Sequence, residues 1–301
     1  MISITEIRSF FKGAISLNEP LARFTTFRIG GEADYLVEPA DEADLLGIVN
    51  YCIAKHMPYY TMGNGSNILI SDEGIRGVVI NLESGFNYLK NSGGVVTAGA
   101  GVKLAKFVDF CIQNNYAGVE MLAGIPATVG GALIMNAGCY GGESSSFVEQ
   151  VRVIKEGKIV TLPKDECRFS YRHSELKEFV VFEASFLLPE GNKEELMNSR
   201  KKWIQQRNAS QPVEIPNAGC IFKNPAEHHA AVLIEQCGLK GLTYGGAMVS
   251  PKHANFIVNV NNATAHDVME LVKTIKKTVK EKKGISLEME VKLIGFEEVN
   301  A

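Results

Sequence analysis

Nine consecutive residues, Asn217-Ala218-Gly219-Cys220-Ile221-Phe222-Lys223-Asn224-Pro225, bring a thiol, an ammonium and a carboxamide close together in the chain. A Gln-Pro-Val-Glu-Ile-Pro approach over residues 211–216 precedes them and an apolar helical pattern follows, so the stretch reads as a fixed loop. Gly219 frees the backbone beside Cys220, while Pro216 and Pro225 restrict it on either side. A proton donor next to groups able to hold an anion suits acid–base chemistry. An isolated Ala-Gly-Cys is more often a turn with a small buried thiol. The other glycine-rich stretches therefore decide the reading.

The first of these is Gly63-Asn64-Gly65-Ser66-Asn67. Successive exposed N–H groups in such a loop can wrap a phosphate. It is not a dinucleotide fingerprint, because Ile68 stands where a third glycine is needed and a strand pattern follows, and it lacks the Gly-Lys-Ser/Thr ending of a P-loop. Alone it would be a tight turn. The others are Ala123-Gly124-Ile125-Pro126-Ala127-Thr128-Val129-Gly130-Gly131-Ala132 and Asn136-Ala137-Gly138-Cys139-Tyr140-Gly141-Gly142. Small side chains let backbone approach a packed neighbour or a large flat ligand. Bulkier residues would fill a core more efficiently, which favours the ligand.

Composition restricts the class. The 301 residues are 46% hydrophobic and 22% charged, as in an ordinary globular protein of two or more compact units. A net charge of -3 offers no basic stripe for phosphates and argues against nucleic acid. The basic tract Lys273–Lys283 reads as the solvated face of a helix with Leu271, Val272, Ile275 and Val279 inward. Cys52, Cys111, Cys139, Cys167, Cys220 and Cys237 show no Cys-x-x-Cys spacing, which fits reduced cytosolic thiols and no metal site. Glu6, Arg8 and Lys12 interrupt the N-terminal apolar residues, so no signal peptide is expected; Ser3 and Glu6 fit a capping box. Glu120, Pro126 and four glycines rule residues 116–135 out as a membrane span.

The elements that must position these loops follow from periodicity. The reading places a strand at Ala33–Glu38, a helix at Asp41–Lys55 with Leu45, Val49, Cys52 and Ile53 on one face, and strands at Pro58–Met62, Ile68–Ser71 and Gly77–Leu82. A strand near Val95 leads to a helix Lys103–Asn114 whose inward stripe is Leu104, Phe107, Val108 and Cys111. A hairpin, Val148–Lys155 with Lys158–Leu162, turns at Glu156-Gly157, and a long strand Phe179–Leu188 follows. A polar helix from Gly191 to about Arg207 connects to an αβ block: a helix Ala230–Cys237, a strand Asn255–Val260, a long helix opening at Thr264 and Asp267, and a final strand Leu287–Phe296.

In order along the chain, the motifs resemble those of the UDP-N-acetylenolpyruvoylglucosamine reductase family. The resemblance runs nearly end to end: Thr-Thr-Phe-Arg-Ile-Gly-Gly (25–31), Gly-Asn-Gly-Ser-Asn-Ile-Leu (63–69), Gly-Ile-Pro-Ala-Thr-Val-Gly-Gly-Ala (124–132), Asn-Ala-Gly-Cys-Tyr-Gly (136–141), Cys-Arg-Phe-Ser-Tyr-Arg-His-Ser (167–174), Ala-Gly-Cys-Ile-Phe-Lys-Asn-Pro (218–225), Lys-His-Ala-Asn-Phe-Ile-Val-Asn (252–259) and Leu-Glu-Met-Glu-Val-Lys (287–292). Each is weak alone; their shared order is not. Tyr171-Arg172 runs without insertion into the Phe179 strand, like the shorter subtype that lacks a tyrosine loop.

The resemblance implies an α+β fold: a two-lobed FAD cradle of the vanillyl-alcohol-oxidase type (1–85 and 86–195), then a smaller α/β substrate domain (196–301). It implies FAD held by Gly63, Asn64, Gly65, Ser66 and Asn67 at the pyrophosphate, with Gly124, Ile125, Pro126, Thr128, Gly130, Gly131, Asn136, Gly138, Tyr140 and Gly141 along the rest. It implies hydride transfer from NADPH by way of FAD to the vinyl carbon of UDP-N-acetylglucosamine enolpyruvate, in a cytoplasmic, monomeric enzyme of peptidoglycan synthesis with no nucleic-acid or membrane partner. Charge then develops as an enolate, and removing a fixed donor there typically costs roughly 3–4 kcal/mol. Arg172 is the family's arginine and Glu290 a second donor, able to donate only when protonated.

Cys220 stands where the family usually has serine, as donor of the final proton. A thiol, with an ordinary pKa of about 8.5, is a competent acid near neutrality. Tyr171, Arg207, Lys223, Asn224 and Asn255 would contact substrate, and Lys292 stands where the family often has arginine near the flavin. Taken singly, Arg172 reads as a surface ion-pair residue and Glu290 as a polar position on a strand; His253 reads as structural. Three other classes stay open on residues alone: an FAD oxidase of small alcohols, with Cys139 as a conceivable attachment point, a thiol hydrolase using Cys220 and His253, and a non-catalytic nucleotide-sugar sensor.

Overall fold

The computed structural model describes residues 4–296, so the Ser3 cap expected for the first helix lies outside the described residues. Among these, one compact unit holds residues 4–17, Tyr35–Asn64 and Gly77–Gln206, and a second holds Asn18–Asp34, Gly65–Arg76 and residues 207–296. Each unit has its own core.

In the first unit, α2 (Glu42–Ala54) is opened by Asp41, whose carboxylate accepts from the Asp44 N–H. Asp44 itself is fully buried and takes N–H bonds from Lys12, Gly13 and Ala40, which satisfies a carboxylate that burial would otherwise penalise. Leu45, Ile48, Val49 and Cys52 are buried, but Ile53 is 42% exposed, a correction to the expected stripe. A period of 3.6 carries the inward face through 45, 48, 49 and 52 and turns position 53 outward. Helix α1 is a short element, Ile4–Arg8.

Strands β1 (Ala14–Pro20), β2 (Glu32–Glu38), β5 (Ile75–Asn81) and β3 (Tyr59–Met62) form a four-stranded sheet in that order, with β3 and β5 parallel. Periodicity does not reveal β1 or the 3-10 turn Leu21–Phe24, because β1 has no buried residue and carries no strict alternation. A five-stranded antiparallel sheet runs β11 (Lys158–Pro163), β10 (Val148–Lys155), β12 (Val180–Leu187), β7 (Val95–Gly99), β6 (Leu89–Ser92). The β10–β11 turn has positive φ at both Glu156 (50°) and Gly157 (73°), as a two-residue hairpin prefers.

Helix α3 (Leu104–Gln113) buries the expected Leu104, Phe107, Val108 and Cys111, and Phe107 packs on Phe186 with ring centroids 4.7 Å apart. The small-residue run contains α4 (Val129–Ile134), and β8 (Gly138–Cys139) pairs with β9 (Gly142–Glu143).

Helix α5 (Lys193–Ser210) starts where Asn192 accepts N–H bonds from Glu194 and Glu195. The second unit is built on α6 (Ala230–Gln236), α7 (Ala265–Lys283) and a sheet β13 (Thr243–Tyr244), β14 (Ala247–Val249), β15 (Ile257–Asn259). Phe27, Ile29 and Leu69 join its core beside Ile221, Phe222 and Val291. Helix α7 has the expected inward residues and a Thr264/Asp267 capping box, and it ends on Gly284 at φ 71°. The expected final strand is two separate pairings. Met289 bridges Phe222, and β16 (Lys292–Ile294) runs parallel to β4 (Ile68–Ile70), with buried Val291 at the change of partner.

Candidate active site

In the first unit the beginning of the Gly63–Asn67 loop meets the Pro126–Thr128 segment. A Cβ on Gly63 would fall 2.2 Å from Thr128 Oγ1, so only glycine fits there. Asn64 Nδ2 donates to the Pro126 carbonyl at 2.5 Å, and Lys103 Nζ donates to Asn64 Oδ1 and, at 2.5 Å, to Glu83. Lys103 and Glu83 carry no motif, so sequence reasoning missed them. Thr128 is buried and caps α4 by accepting from Gly131 N–H at 3.3 Å. Ile125 closes the turn Glu120–Gly124.

A second cluster joins the Asn136–Gly142 motif to the arginine turn. Ser170 and His173 exchange backbone bonds (3.0 and 3.1 Å), which leaves Tyr171-Arg172 as the tip, with Arg172 at φ 53°. A non-glycine residue at positive φ is sparsely populated and needs its surroundings to hold it. Arg172 donates to the Gly138 carbonyl at 2.9 Å, and Asn136 Nδ2 donates to the Ser170 carbonyl at 3.0 Å and to Glu143 at 2.9 Å. The guanidinium also lies 5.1 Å from the centre of the Tyr171 ring, and Tyr171 is 49% exposed. Tyr140 stacks on Trp203 of α5, centroids 4.6 Å apart.

The small-residue run has two explanations rather than one. A Cβ on Gly130 would meet the Ala100 Cβ at 2.7 Å, on Gly138 the Gly142 carbonyl at 2.5 Å, and on Gly142 the Met121 sulfur at 2.6 Å. Protein packing requires Gly130 and Gly138, whereas at Gly142 the flexible Met121 side chain would have to move. Among the described residues, a Cβ on Gly141 (φ 84°) would meet nothing within 4 Å, and one on Gly131 would meet only Thr128 Oγ1, at 3.4 Å.

In the second unit the rest of the glycine loop meets the thiol loop and the terminal strand. Gly65 has φ 59° and a would-be Cβ 2.3 Å from the Phe24 carbonyl, and its own carbonyl accepts from Thr26 N–H at 3.3 Å. Thr26 Oγ1 donates to the Asn217 carbonyl at 2.7 Å, so one threonine ties both loops. Asn217 Oδ1 accepts from Gly219 N–H at 2.9 Å, and Gly219 takes φ 78°. Asn67 Nδ2 donates to the Glu290 carbonyl at 3.3 Å, and the Asn67 carbonyl accepts from Lys292 N–H at 3.0 Å. Beyond Cys220, Lys223 N–H donates to the Glu288 carbonyl at 2.9 Å and Glu290 N–H to the Ile221 carbonyl at 2.8 Å. Cys220 and Glu290 are both half-buried.

The proposed substrate contacts fall at different places. Lys223 Nζ pairs with Glu288 at 2.5 Å, a contact that holds this exposed carboxylate below its ordinary pKa. Asn224 is exposed and accepts from Ala230 N–H at 3.0 Å, at the start of α6. Arg207 is half-buried in the last turn of α5, where its carbonyl accepts from Gln211 N–H at 2.9 Å. Asn255 is 3% exposed, with both ends of its carboxamide on the backbone of Phe222. Lys292 is exposed on β16. His253 packs edge-on against Phe256, and burial pushes its pKa below the ordinary imidazole value. Thr26, Asn217 and the Asn255 carboxamide lay in the quoted motifs, but only the tertiary pairing reveals what they hold.

Comparison with known proteins gives the same picture from sequence and from fold. Residues 33–163 match the model of an FAD binding domain, and residues 211–294 match that of the UDP-N-acetylenolpyruvoylglucosamine reductase C-terminal domain. The chain is 41% identical over 307 residues to the UDP-N-acetylenolpyruvoylglucosamine reductase of Chloroherpeton thalassium, covering 99% of each. It is 42% identical over 298 residues to that of Caldanaerobacter subterraneus subsp. tengcongensis, covering 98% of each. The crystal structure of the Thermus caldophilus UDP-N-acetylenolpyruvylglucosamine reductase superposes with a TM-score of 0.82 at 37% identity, over 95% of this chain and 100% of that one. With an FAD-binding domain joined to that C-terminal domain and such identity from end to end, the chain belongs to the UDP-N-acetylenolpyruvoylglucosamine reductase family.

Proposed function

We propose that the chain reduces the enolpyruvyl group of UDP-N-acetylglucosamine enolpyruvate to give UDP-N-acetylmuramate for peptidoglycan synthesis, with NADPH as reductant, acting as a cytoplasmic monomer. NADPH gives up a hydride and becomes NADP+. The substrate gains that hydride at its terminal carbon and a proton at the carbon bearing the carboxylate. FAD, when bound, relays the two electrons between them. Among the described residues no helix is long and apolar enough to cross a membrane.

The residues present fit the cofactor. Asn136 is fully buried, yet its Oδ1 has no hydrogen-bond partner among the described residues, and an orphaned buried acceptor calls for a donor from outside. Gly141 leaves open space where a side chain would stand. Gly63, Asn64, Gly65, Ser66 and Asn67 would hold the pyrophosphate, with Gly124, Ile125, Pro126, Thr128, Gly131, Asn136, Tyr140 and Gly141 along the rest. Gly130 and Gly138 would serve by letting the protein pack closely behind them.

Arg172 supplies a fixed positive charge to the developing enolate, and its positive-φ turn and bond to Gly138 limit the reorganisation that charge requires. Glu290 acts as the second donor and Cys220 delivers the proton. The 2.8 Å bond from Glu290 N–H to the Ile221 carbonyl carries this reading, since it fixes the two proposed donors on paired segments. Tyr171, Arg207, Lys223 and Asn224 are the proposed contacts to substrate. Lys223 would have to exchange its bond to Glu288 for the ligand's anion.

The test is a visible spectrum of the purified protein, followed by anaerobic NADPH and then the enolpyruvyl substrate. Flavin absorbance that bleaches with NADPH and returns with substrate is the expected result. Bleaching without return would remove the substrate assignment. A protein that takes up no FAD would return Cys220 to thiol chemistry.

A further inference from the structure

Segment Ile221–Lys223 is held like the middle strand of a three-stranded sheet, but only one of its neighbours is a strand. On one edge, Glu290 N–H donates to the Ile221 carbonyl at 2.8 Å and the Lys223 N–H to the Glu288 carbonyl at 2.9 Å. On the other edge a single residue does the work of a strand. The Asn255 carbonyl accepts from Ile221 N–H at 2.8 Å, its Oδ1 accepts from Phe222 N–H at 3.0 Å, and its Nδ2 donates to the Phe222 carbonyl at 2.8 Å. Ile221 and Phe222 are each 1% exposed and Asn255 is 3% exposed, so water cannot replace these bonds. This use of Asn255 also explains why β15 begins only at Ile257 rather than at the Asn255 expected from sequence.

We propose that Asn255 is a positioning residue, whose carboxamide fixes Phe222, and through it Cys220 two residues earlier, against the Glu290 segment, rather than a substrate contact. The inference rests on the proposed role of Cys220. Aspartate is the informative replacement. An ionised carboxylate accepts from Phe222 N–H but turns a second lone pair towards the Phe222 carbonyl. A protonated carboxyl offers one acceptor and one O–H donor, the same pair that the amide presents. Burial favours the protonated form.

The experiment measures kcat and KM across pH for the FAD-loaded wild type, Asn255→Ala and Asn255→Asp, with amide hydrogen exchange over residues 217–225. Asn255→Ala is expected to speed exchange at Phe222 and to lower kcat by about 10- to 100-fold, with KM changed only a few-fold. Asn255→Asp is expected to be impaired at neutral pH and to recover kcat on the acid side, where wild type gains nothing. If the alanine variant does not fold, the aspartate profile decides alone. A raised KM at unchanged kcat would make Asn255 a substrate contact and overturn the proposal. Faster exchange with unchanged kcat and KM, or an aspartate variant with no acid recovery, would overturn it equally. Failure of the underlying reading is seen separately, as full activity in Cys220→Ala.

Discussion

The Glu290 N–H donates to the carbonyl of Ile221 at 2.8 Å, and Phe222 bridges Met289 one residue further on. Cys220, immediately before this pairing, and Glu290, within it, therefore share one rigid backbone frame, which Asn67 extends by donating to the Glu290 carbonyl. If both act on one intermediate, as proposed, groups held in one frame should not contribute additively. Glu290→Ala should lower kcat by roughly 10²–10³-fold and Glu290→Gln by less, because the amide still donates. The double variant with Cys220→Ala should be less impaired than the product of the two single losses. Steady-state kcat for the four proteins checks this, and strict multiplicativity would mean that the two side chains act independently.

Cys220→Ser should change the shape of the pH profile as well as its height. A thiol donates only while protonated, so under the proposed role of Cys220 the wild-type kcat should fall on the alkaline side as the thiolate forms. A serine hydroxyl does not ionise there, so the alkaline limb should disappear in the variant while the plateau drops, an alcohol being the weaker acid. An unchanged alkaline limb in Cys220→Ser would assign it to another group.

Local chemistry was legible in the sequence and long-range pairing was not. The α3 stripe, the α7 capping box and the Glu156-Gly157 hairpin each follow from residues a few positions apart, and the structure has them there. The motifs also named the loops of the candidate site. What they could not say is which backbone partner each loop takes. Leu287–Phe296 reads as one apolar-alternating strand, but its two halves pair with Phe222 and with β4, because Val291 is drawn into the core between them. Asn255 is expected from its motif to contact substrate, and the sequence could not show that its buried carboxamide bonds the backbone of Phe222 at both ends.

The glycines of the cradle divide into two kinds that a pair of variants can separate. In Gly65→Ala the new Cβ would fall 2.3 Å from the Phe24 carbonyl at a positive φ, so the apo protein should lose more than about 1–3 kcal/mol of stability. In Gly141→Ala the positive φ opposes the substitution, but among the described residues nothing lies within 4 Å of the new Cβ, and the apo protein should lose about 1 kcal/mol. Yet Gly141→Ala should weaken FAD binding markedly if the cofactor uses that space. Melting curves of apo protein and fluorescence titration with FAD give the two readings, and unchanged FAD affinity would take Gly141 out of the cradle.

Thiol labelling should distinguish Cys220 from the structural cysteines. Burial pushes the Cys111 thiol up to about 12 and those of Cys52 and Cys167 to about 11, and all three are fully buried. Thiolate is the reactive form, so these should stay unlabelled by iodoacetamide in the native protein at neutral pH. Cys220 and Cys139 are half-buried and should react first, with the rest appearing on denaturation. Peptide mapping by mass spectrometry reads this directly. Early labelling of Cys111 would mean that the first unit opens locally.

Acid should destabilise the second unit partly through Asp267. Burial alone would push this carboxyl up, but N–H bonds from Thr264 and Gly246, both 3.0 Å, prevail and hold it below the ordinary carboxylate value. A depressed folded pKa means that the ionised form is favoured in the native state. The stabilisation is therefore fully present above the ordinary value of about 4 and is lost as pH falls through the lower, folded value. Both N–H bonds end on one oxygen, Oδ2, so Asp267→Asn keeps an oxygen acceptor for them but cannot titrate. Its urea midpoint should be lower than wild type at pH 7, and the gap should narrow as the pH is taken down towards 2. Asp267→Ala, which removes the reciprocal half of the capping box and leaves the Gly246 N–H without its partner, should lose about 0.5–2 kcal/mol at pH 7. A constant gap between wild type and Asp267→Asn across that range would show that the carboxylate charge contributes nothing and that the cap works through geometry alone.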